Sequence, residues 1–205
     1  TFSACDRATG KYFVKVPDYI HANTADTEHF SDHCPNDNNR CAQHCLILED
    51  VTELPVEVTA AGYATLYAPV ALTVPANVTA HTVTLSGEWA VLTDVGTTIP
   101  ANTGVVLYSK TAATYTFAVT ESEPFSGENA LEGTVAATYV TKDAYVLGVV
   151  GGAVGFYTAE TNGQETGTFL NNHHKAYLPK TAGMNAASYS FRFGEGTTGI
   201  DEITE

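Results

Sequence analysis

The chain has 205 residues, 44% hydrophobic and 16% charged, so it is long enough to bury a core and too apolar for a disordered segment. Nine basic residues against 23 acidic ones give a formal net charge of −14, which disfavours nucleic acid and anionic membranes as partners. No apolar run reaches the roughly 18 to 20 residues of a membrane span, so we expect no membrane insertion.

Residues 1–53 form the first predicted domain, and they hold all four cysteines: Cys5, Cys34, Cys41 and Cys45. An even number of cysteines in an exported chain favours disulfides, and four cysteines allow three pairings. We favour Cys34 with Cys41, which closes a polar loop. Cys5 with Cys45 would then tie the N-terminus to an apolar strand. We expect a small cysteine-rich element of strands and loops.

Zinc is the alternative for these cysteines. Three of them lie within twelve residues, and His33 and His44 each directly precede a cysteine. Cysteine and histidine are suitable zinc ligands, but the spacing C-x6-C-x3-C matches no common paired-ligand motif. A nucleophilic Cys45 assisted by His44 is disfavoured further, because neighbouring residues of a strand point to opposite faces.

The polar tract around these cysteines contains oxygen ligands that suit calcium: Asp32, Asn36, Asp37, Asn38 and Asn39. A tract rich in Asn and Asp is more often a solvated loop, because these side chains stabilise turns. We therefore expect no cofactor, with calcium as the alternative.

The second predicted domain, residues 54–205, has no cysteine and shows the alternation of apolar and polar residues that is typical of half-buried strands. The predicted strands are residues 63–67, 70–74, 81–85, 89–92, 115–119, 145–147, 154–157 and 188–193. Turn signals rich in Gly and Asn separate them. Short strands with turn-sized gaps predict an all-β fold with an antiparallel β-sandwich-like domain, because parallel strands need long crossovers.

A turn-plus-strand cassette recurs in this domain. Its two clear copies are Val74-Pro75-Ala76-Asn77 and Ile99-Pro100-Ala101-Asn102, and a faint third is Phe169-Leu170-Asn171-Asn172. Proline presets φ for a turn and Asn tolerates the left-handed region, so each copy should end one strand and direct the next.

Catalytic and metal motifs are weak. The acidic segment with Glu121, Glu123, Glu128 and Glu132 could supply the two carboxylates of a glycosidase, but their separation is not given by the sequence, and an acidic surface is the ordinary explanation. The neighbours His173 and His174 could bind a metal, but adjacent histidines seldom converge on one ion. Tyr and Trp side chains could stack on sugar rings, or simply pack in the core. We expect no catalytic residues, and no enzymatic activity.

Several elements recur in the order of a known bacterial module: GYATLYAP at residues 62–69, IPANTGVVL at 99–107, AYVLG at 144–148, GFY at 155–157, KAYLP at 175–179 and TTGIDEI at 197–203. Together, over residues 56–203, they resemble a β-rich module near the C-termini of large secreted and surface proteins of Bacteroidetes-type bacteria. That module accompanies adhesins, repeat proteins and glycan-degrading enzymes, so the resemblance implies an accessory role rather than catalysis.

The function expected from the sequence is thus a non-catalytic accessory module of an extracellular or cell-surface protein, serving glycan or protein binding, adhesion or spacing. The alternative is a self-assembling surface or filament subunit whose edge strands pair between copies. A small secreted hydrolase is a more distant alternative. The stretch that begins at Thr1 has no basic-then-apolar signal pattern, and we expect the chain to be a processed or excised segment.

The disulfide prediction can be checked by thiol titration of the denatured, unreduced protein. We expect no free sulfhydryl, because all four cysteines should be oxidised and should together stabilise the small element by about 2 to 4 kcal/mol per closed loop. Four free thiols with stoichiometric zinc would contradict the disulfides and favour the metal site.

Overall fold

The computed structural model describes the strand residues 12–15 and 47–50, and residues 52–140, 143–160 and 167–194. The chain divides into two compact units, Thr1–Thr52 and Glu53–Glu205. In the first unit, β1 (Tyr12–Lys15) pairs antiparallel with β2 (Ile47–Asp50). The predicted disulfides, the zinc alternative and the calcium tract all fall on residues outside the described ranges.

The described part of the second unit consists of strands, turns and loops without a helix, so the all-β prediction is confirmed. In chain order its strands are β3 (Glu53–Val58), β4 (Tyr63–Leu66), β5 (Ala71–Thr73), β6 (Thr79–Ser86), β7 (Trp89–Asp94), β8 (Thr98–Ile99), β9 (Val105–Tyr108), β10 (Ala113–Thr120), β11 (Glu132–Thr134), β12 (Thr138–Val140), β13 (Ala144–Val150), β14 (Ala153–Thr158), β15 (Phe169–Asn171), β16 (Lys175–Pro179) and β17 (Ser188–Phe193). No helix long and apolar enough to cross a membrane occurs among these residues.

The described strands of the second unit form three sheets. Four strands pair in the order β3-β10-β5-β8, nine in the order β11-β16-β13-β14-β17-β7-β6-β9-β4, and two as β12-β15. Among the described strands every pairing is antiparallel except that of β7 with β17, which is parallel, with Ser190 opposite Trp89. The sequence did not predict this parallel pair, because nine other strands lie between the two in the chain.

All eight predicted strands are present, with bounds that differ by up to three residues. The strands that the alternation did not predict are β3, β8, β9, β11, β12, β15 and β16. Four of these, β8, β11, β12 and β15, have only two or three residues, too few to show a period. Strands β9 and β16 follow the second and third cassettes, which predict a strand at those places without giving its alternation. Strand β3 contains Pro55 and lies at the edge of its sheet, a position where proline is tolerated.

The nine-stranded sheet curls until it is nearly closed. Its edge strand β4 comes back to β16, where the Tyr67 N–H donates to the His174 carbonyl at 3.1 Å. The His174 ring adds a second bond, from Nδ1 to the Tyr67 carbonyl at 3.0 Å. This pair of bonds joins the two sides of the curled sheet.

Aromatic rings fill the inside of the curled sheet. Tyr145 and Tyr189 meet edge to face at 5.0 Å between ring centroids, and Phe156 meets Phe191 at 5.4 Å. Phe191 also lies 5.2 Å from Tyr63 on the opposite side. Edge-to-face pairs add about 0.5 to 1.5 kcal/mol beyond the burial of their area.

Strands β4, β6 and β9 are buried on both faces. Tyr63 points to the aromatic core, whereas Ala64 and Leu66 on the opposite face of β4 are also buried. The four-stranded sheet has its own buried side chains, among them Leu72 and Phe117, both 0% exposed. The three strands therefore lie between two layers, which is the sandwich part of the fold.

The cassettes form the predicted turns. Asn77 and Asn102 adopt left-handed backbone conformations with φ of 67° and 58°. The third turn lies two residues later than predicted, because Phe169–Asn171 is strand β15. Its left-handed residue is His174, with φ of 56°, and the Lys175 N–H donates to the Asn172 carbonyl at 3.3 Å. This turn places His174 where it can bond Tyr67.

Replacing Asn77 tests the left-handed turn. We expect Asn77→Ala to lower the free energy of unfolding by about 1 to 2 kcal/mol, because a Cβ without a compensating polar group is unfavourable at positive φ. Asn77→Gly is the matched control and should leave stability nearly unchanged. Urea unfolding measures both, and equal stability of the two variants would contradict the account.

His81 is a buried titratable residue in the core. Its ring is 0% exposed, lies edge-on to Phe193 at 5.4 Å, and places Nε2 2.8 Å from the Thr79 hydroxyl. Nδ1 has no hydrogen-bond partner among the described residues. Burial lowers the pKa of His81 below its ordinary value of 6.5, with the nearby Asp94 partly opposing the shift.

The lowered pKa makes stability depend on pH. Unfolding returns His81 to its ordinary pKa, so below pH 6.5 the unfolded chain binds a proton that the folded chain does not. Stability should be full above pH 6.5 and fall as the pH drops toward the folded pKa. His81→Phe, which keeps a ring beside Phe193, should lessen the loss of stability between about pH 8 and about pH 5 in urea unfolding.

The matched control for that experiment is His173→Phe, because His173 is exposed. It should leave the pH dependence as in the wild-type protein. An identical pH dependence in His81→Phe would show that the buried ring does not contribute.

Candidate functional site

An outward-facing row of residues on the curled sheet is the candidate site; its Trp89 and Ser190 are exposed, whereas Gly148 is half-buried and Gly155 is buried. One row of residues runs across four strands in register: Trp89 on β7, Ser190 on β17, Gly155 on β14 and Gly148 on β13. Side chains alternate along a strand, and the neighbours Ala90, Tyr189, Phe156 and Leu147 belong to the aromatic core. The row therefore points outward.

Trp89 stands at one end of this row. It is the first residue of β7, directly after the Gly87-Glu88 turn, where Gly87 has φ of 60°. Its side chain is 45% exposed, one of four large hydrophobic residues that the described surface leaves open. A tryptophan held in a rigid strand loses little freedom when a ligand stacks on it.

Tyr157 stands on the other side of the row and lies along the surface. Its hydroxyl donates to the Ala153 carbonyl at 2.9 Å, four residues earlier in β14. Four residues of strand span about 13 Å, so only a ring that lies along the strand can make this bond.

Gly148 leaves room for that ring, and Gly155 leaves room for the backbone of β17. A Cβ at Gly148 would lie 3.2 Å from Cδ2 of Tyr157, and a Cβ at Gly155 would lie 2.6 Å from the Tyr189 carbonyl oxygen. A glycine inside a strand marks a close approach to the backbone, here by Tyr157 and by β17. We name the set Trp89, Gly148, Gly155, Tyr157 and Ser190 the outer aromatic face.

The outer aromatic face has the dimensions of a shallow binding strip. Trp89 and Tyr157 lie on β7 and β14, separated by β17, so their strands are about 9.5 Å apart. The strip between them carries the hydroxyl of the exposed Ser190, and the exposed Arg192 lies farther along β17. Aromatic rings with hydroxyl groups between them can stack on and hydrogen-bond to a polar ligand.

The acidic candidates for catalysis lie elsewhere. Glu121, Glu123 and Glu128 are exposed in the segment before β11. The carboxylate of Glu132 accepts a hydrogen bond from the Tyr177 hydroxyl at 2.9 Å. Burial first, and then this bond, raise the pKa of Tyr177 to about 12. Glu132 therefore has a structural role, as the partner of a phenol that stays protonated.

Of the two adjacent histidines, His174 has a structural role. The His173 and His174 rings lie nearly perpendicular with centroids 6.1 Å apart, and His174 is hydrogen-bonded to Tyr67. Within the described ranges, no group of three or more His, Cys, Asp or Glu side chains is arranged to hold a metal ion.

No protein-family model, curated protein or solved structure matches this chain. The resemblance to accessory modules of Bacteroidetes-type bacteria over residues 56–203 therefore stays a prediction.

Sequence reasoning did not find the outer aromatic face. It predicted strands at residues 89–92 and 154–157 but could not place them two strands apart, because β17 intervenes from far along the chain. The available signal was the pair of glycines, Gly148 and Gly155, inside strand patterns.

Proposed function

We propose that residues 56–203 form a non-catalytic accessory module of a secreted or cell-surface protein, and that the outer aromatic face binds glycan. The observation that carries the proposal is the exposed Trp89 in register with Ser190 and the two glycines of the face. The strands of the outer aromatic face fix the positions of an aromatic ring and a hydroxyl group, so that both can contact one extended ligand.

The chemistry of this face suits a neutral polar ligand. The ring faces of Trp89 and Tyr157 match the apolar face of a sugar ring, and Ser190 can exchange hydrogen bonds with sugar hydroxyls. Arg192 is the cation nearest in the register, opposite Val91. Binding should be weak per site and should change little with salt, because few charges take part.

Trp89→Ala tests the proposal on a glycan array, followed by titration calorimetry with a glycan that the wild-type protein retains. We expect at least a tenfold loss of affinity, equivalent to about 1.4 kcal/mol, because the stacking surface is removed. Melting temperature should change little, since Trp89 is 45% exposed.

Tyr139→Ala is the matched control, because Tyr139 is a similarly exposed aromatic residue, 44% accessible, on β12 rather than on the outer aromatic face. It should bind as the wild-type protein does. Unchanged binding in Trp89→Ala, or a wild-type protein that retains no glycan, would refute the proposed function. Hydrolysis of the glycan would point to the enzymatic alternative instead.

A further inference from the structure

A groove of about 440 Å³ opens between β4, β13 and the segment from β15 to the start of β16, and Gly148 of the outer aromatic face is among its lining residues. Its volume is within the roughly 300 to 1,000 Å³ typical of ligand sites. Tyr63 and Thr65 line one wall, and Leu147 and Val149 line the other. Both walls are strands, so backbone N–H and C=O groups as well as side chains can contact a ligand in the groove.

The wall formed by β4 is an unpaired strand edge. Within the described residues β4 pairs only with β9. Along an antiparallel strand the N–H and C=O groups of successive residues point alternately to the two sides. Gly62 bonds toward β9, where its carbonyl accepts the Ser109 N–H at 2.9 Å, so Tyr63 and Thr65 point the other way.

The bond from the Tyr67 N–H to the His174 carbonyl confirms this direction. Tyr67 is two residues beyond Thr65 and points to the same side of the chain. The backbone groups of Tyr63 and Thr65 are therefore directed at the groove.

The wall formed by β13 is the second unpaired edge. The β13–β14 hairpin closes through Gly151 and Gly152, with Val150 opposite Ala153. In a two-residue hairpin the two residues that flank the turn form a hydrogen-bonded pair. Along the ladder from there, every second pair is also hydrogen-bonded. Leu147 and Val149 are in the intervening pairs, so their N–H and C=O groups point away from β14.

Strand β16 covers only the beginning of this second edge. It pairs with β13 at Ala144 and Tyr145, and the Lys180 N–H donates to the Asp143 carbonyl at 2.8 Å. Beyond Tyr145, no strand among the described residues pairs with this side of β13. Two unpaired edges thus flank one groove.

The side chains around the groove differ between its inner and outer parts. Tyr63, Leu147 and Ala176 belong to or pack against the aromatic core. Lys175 and Glu57 also line the groove, and the carboxylate of Glu57 interacts electrostatically with the Lys175 ammonium. An inserted strand would direct alternate side chains to an apolar interior and to this polar rim.

We propose that the groove accepts an extended segment of a partner polypeptide, with alternating apolar and polar residues, as an added β-strand. Main-chain hydrogen bonds to Leu147 and Val149, and to Tyr63 and Thr65 across the groove, hold it in place. Such strand addition takes its affinity from the backbone and its specificity from alternate side chains.

The two facing edges favour a peptide over other occupants. A glycan has no row of N–H and C=O groups at the spacing of a strand. An edge strand of a folded second copy is already paired on one side, so it could bond only one wall of the groove. An extended peptide has both sides free and can bond both walls.

The test uses a display library of random octapeptides, selected on the wild-type protein, and hydrogen exchange measured by NMR. In the free protein the amides of Leu147 and Val149 should exchange faster than those of Val146 and Gly148, which bond to β14. Selected peptides should show alternating apolar and polar residues, and should slow exchange at Leu147 and Val149 at least tenfold.

Val149→Pro removes the N–H that faces the groove and leaves the β13–β14 ladder intact, because that N–H takes no part in it. We expect it to weaken peptide binding at least tenfold. Val149→Thr, which keeps the N–H and the branched shape, is the matched control and should bind as the wild-type protein does.

N-methylation of the selected peptide gives a second measurement that does not require a protein variant. Loss of binding on N-methylation at every position would support pairing with both edges, whereas loss only at alternate positions would show pairing with one edge and refute the bridging of the groove. An absence of binders, protection only of amides outside the groove, or insensitivity to N-methylation would refute the proposal. A concentration-dependent dimer whose interface protects these amides would assign the groove to a second copy and also refute it.

Discussion

The closure of the nine-stranded sheet depends on two hydrogen bonds between Tyr67 and His174, at 3.1 and 3.0 Å. They join β4 to the turn before β16 and give the aromatic rings a common interior. The turn requires a residue at positive φ, and His174 occupies it while its ring supplies the second bond. His174 thus supplies both the backbone conformation of the turn and a side-chain hydrogen bond to Tyr67. Together they hold the two sides of the curled sheet close to each other.

Both surfaces proposed for binding follow from this shape. Because Tyr189, Phe156 and their neighbours fill the interior, the residues between them must face outward, and Trp89 is one of these. Closure is also incomplete. Strand β16 contacts β4, but it pairs with β13 only through Leu178 and Pro179, opposite Tyr145 and Ala144. The outer aromatic face is therefore the outer surface of the curled sheet. The groove is the place where the same sheet fails to close, between β4 and β13.

The two surfaces suit different chemistry. The outer aromatic face offers ring faces and a hydroxyl, and its backbone groups are used within the sheet. The groove offers backbone groups, and its charged lining residues are one cation, Lys175, and two carboxylates, Glu57 and Glu160. A module with both could hold a sugar polymer on the outer aromatic face and a neighbouring polypeptide in the groove, which would suit the proposed accessory role.

The sequence by itself determined the local features: the all-β class, eight strands, and the left-handed turns at Asn77 and Asn102. These follow from alternation and turn chemistry, which act over a few residues. Only the tertiary structure decided the parallel pairing of β7 with β17, the bond between Tyr67 and His174, and the neighbours of Trp89. Each joins residues far apart in the chain, and such pairings depend on how the layers pack rather than on any local pattern.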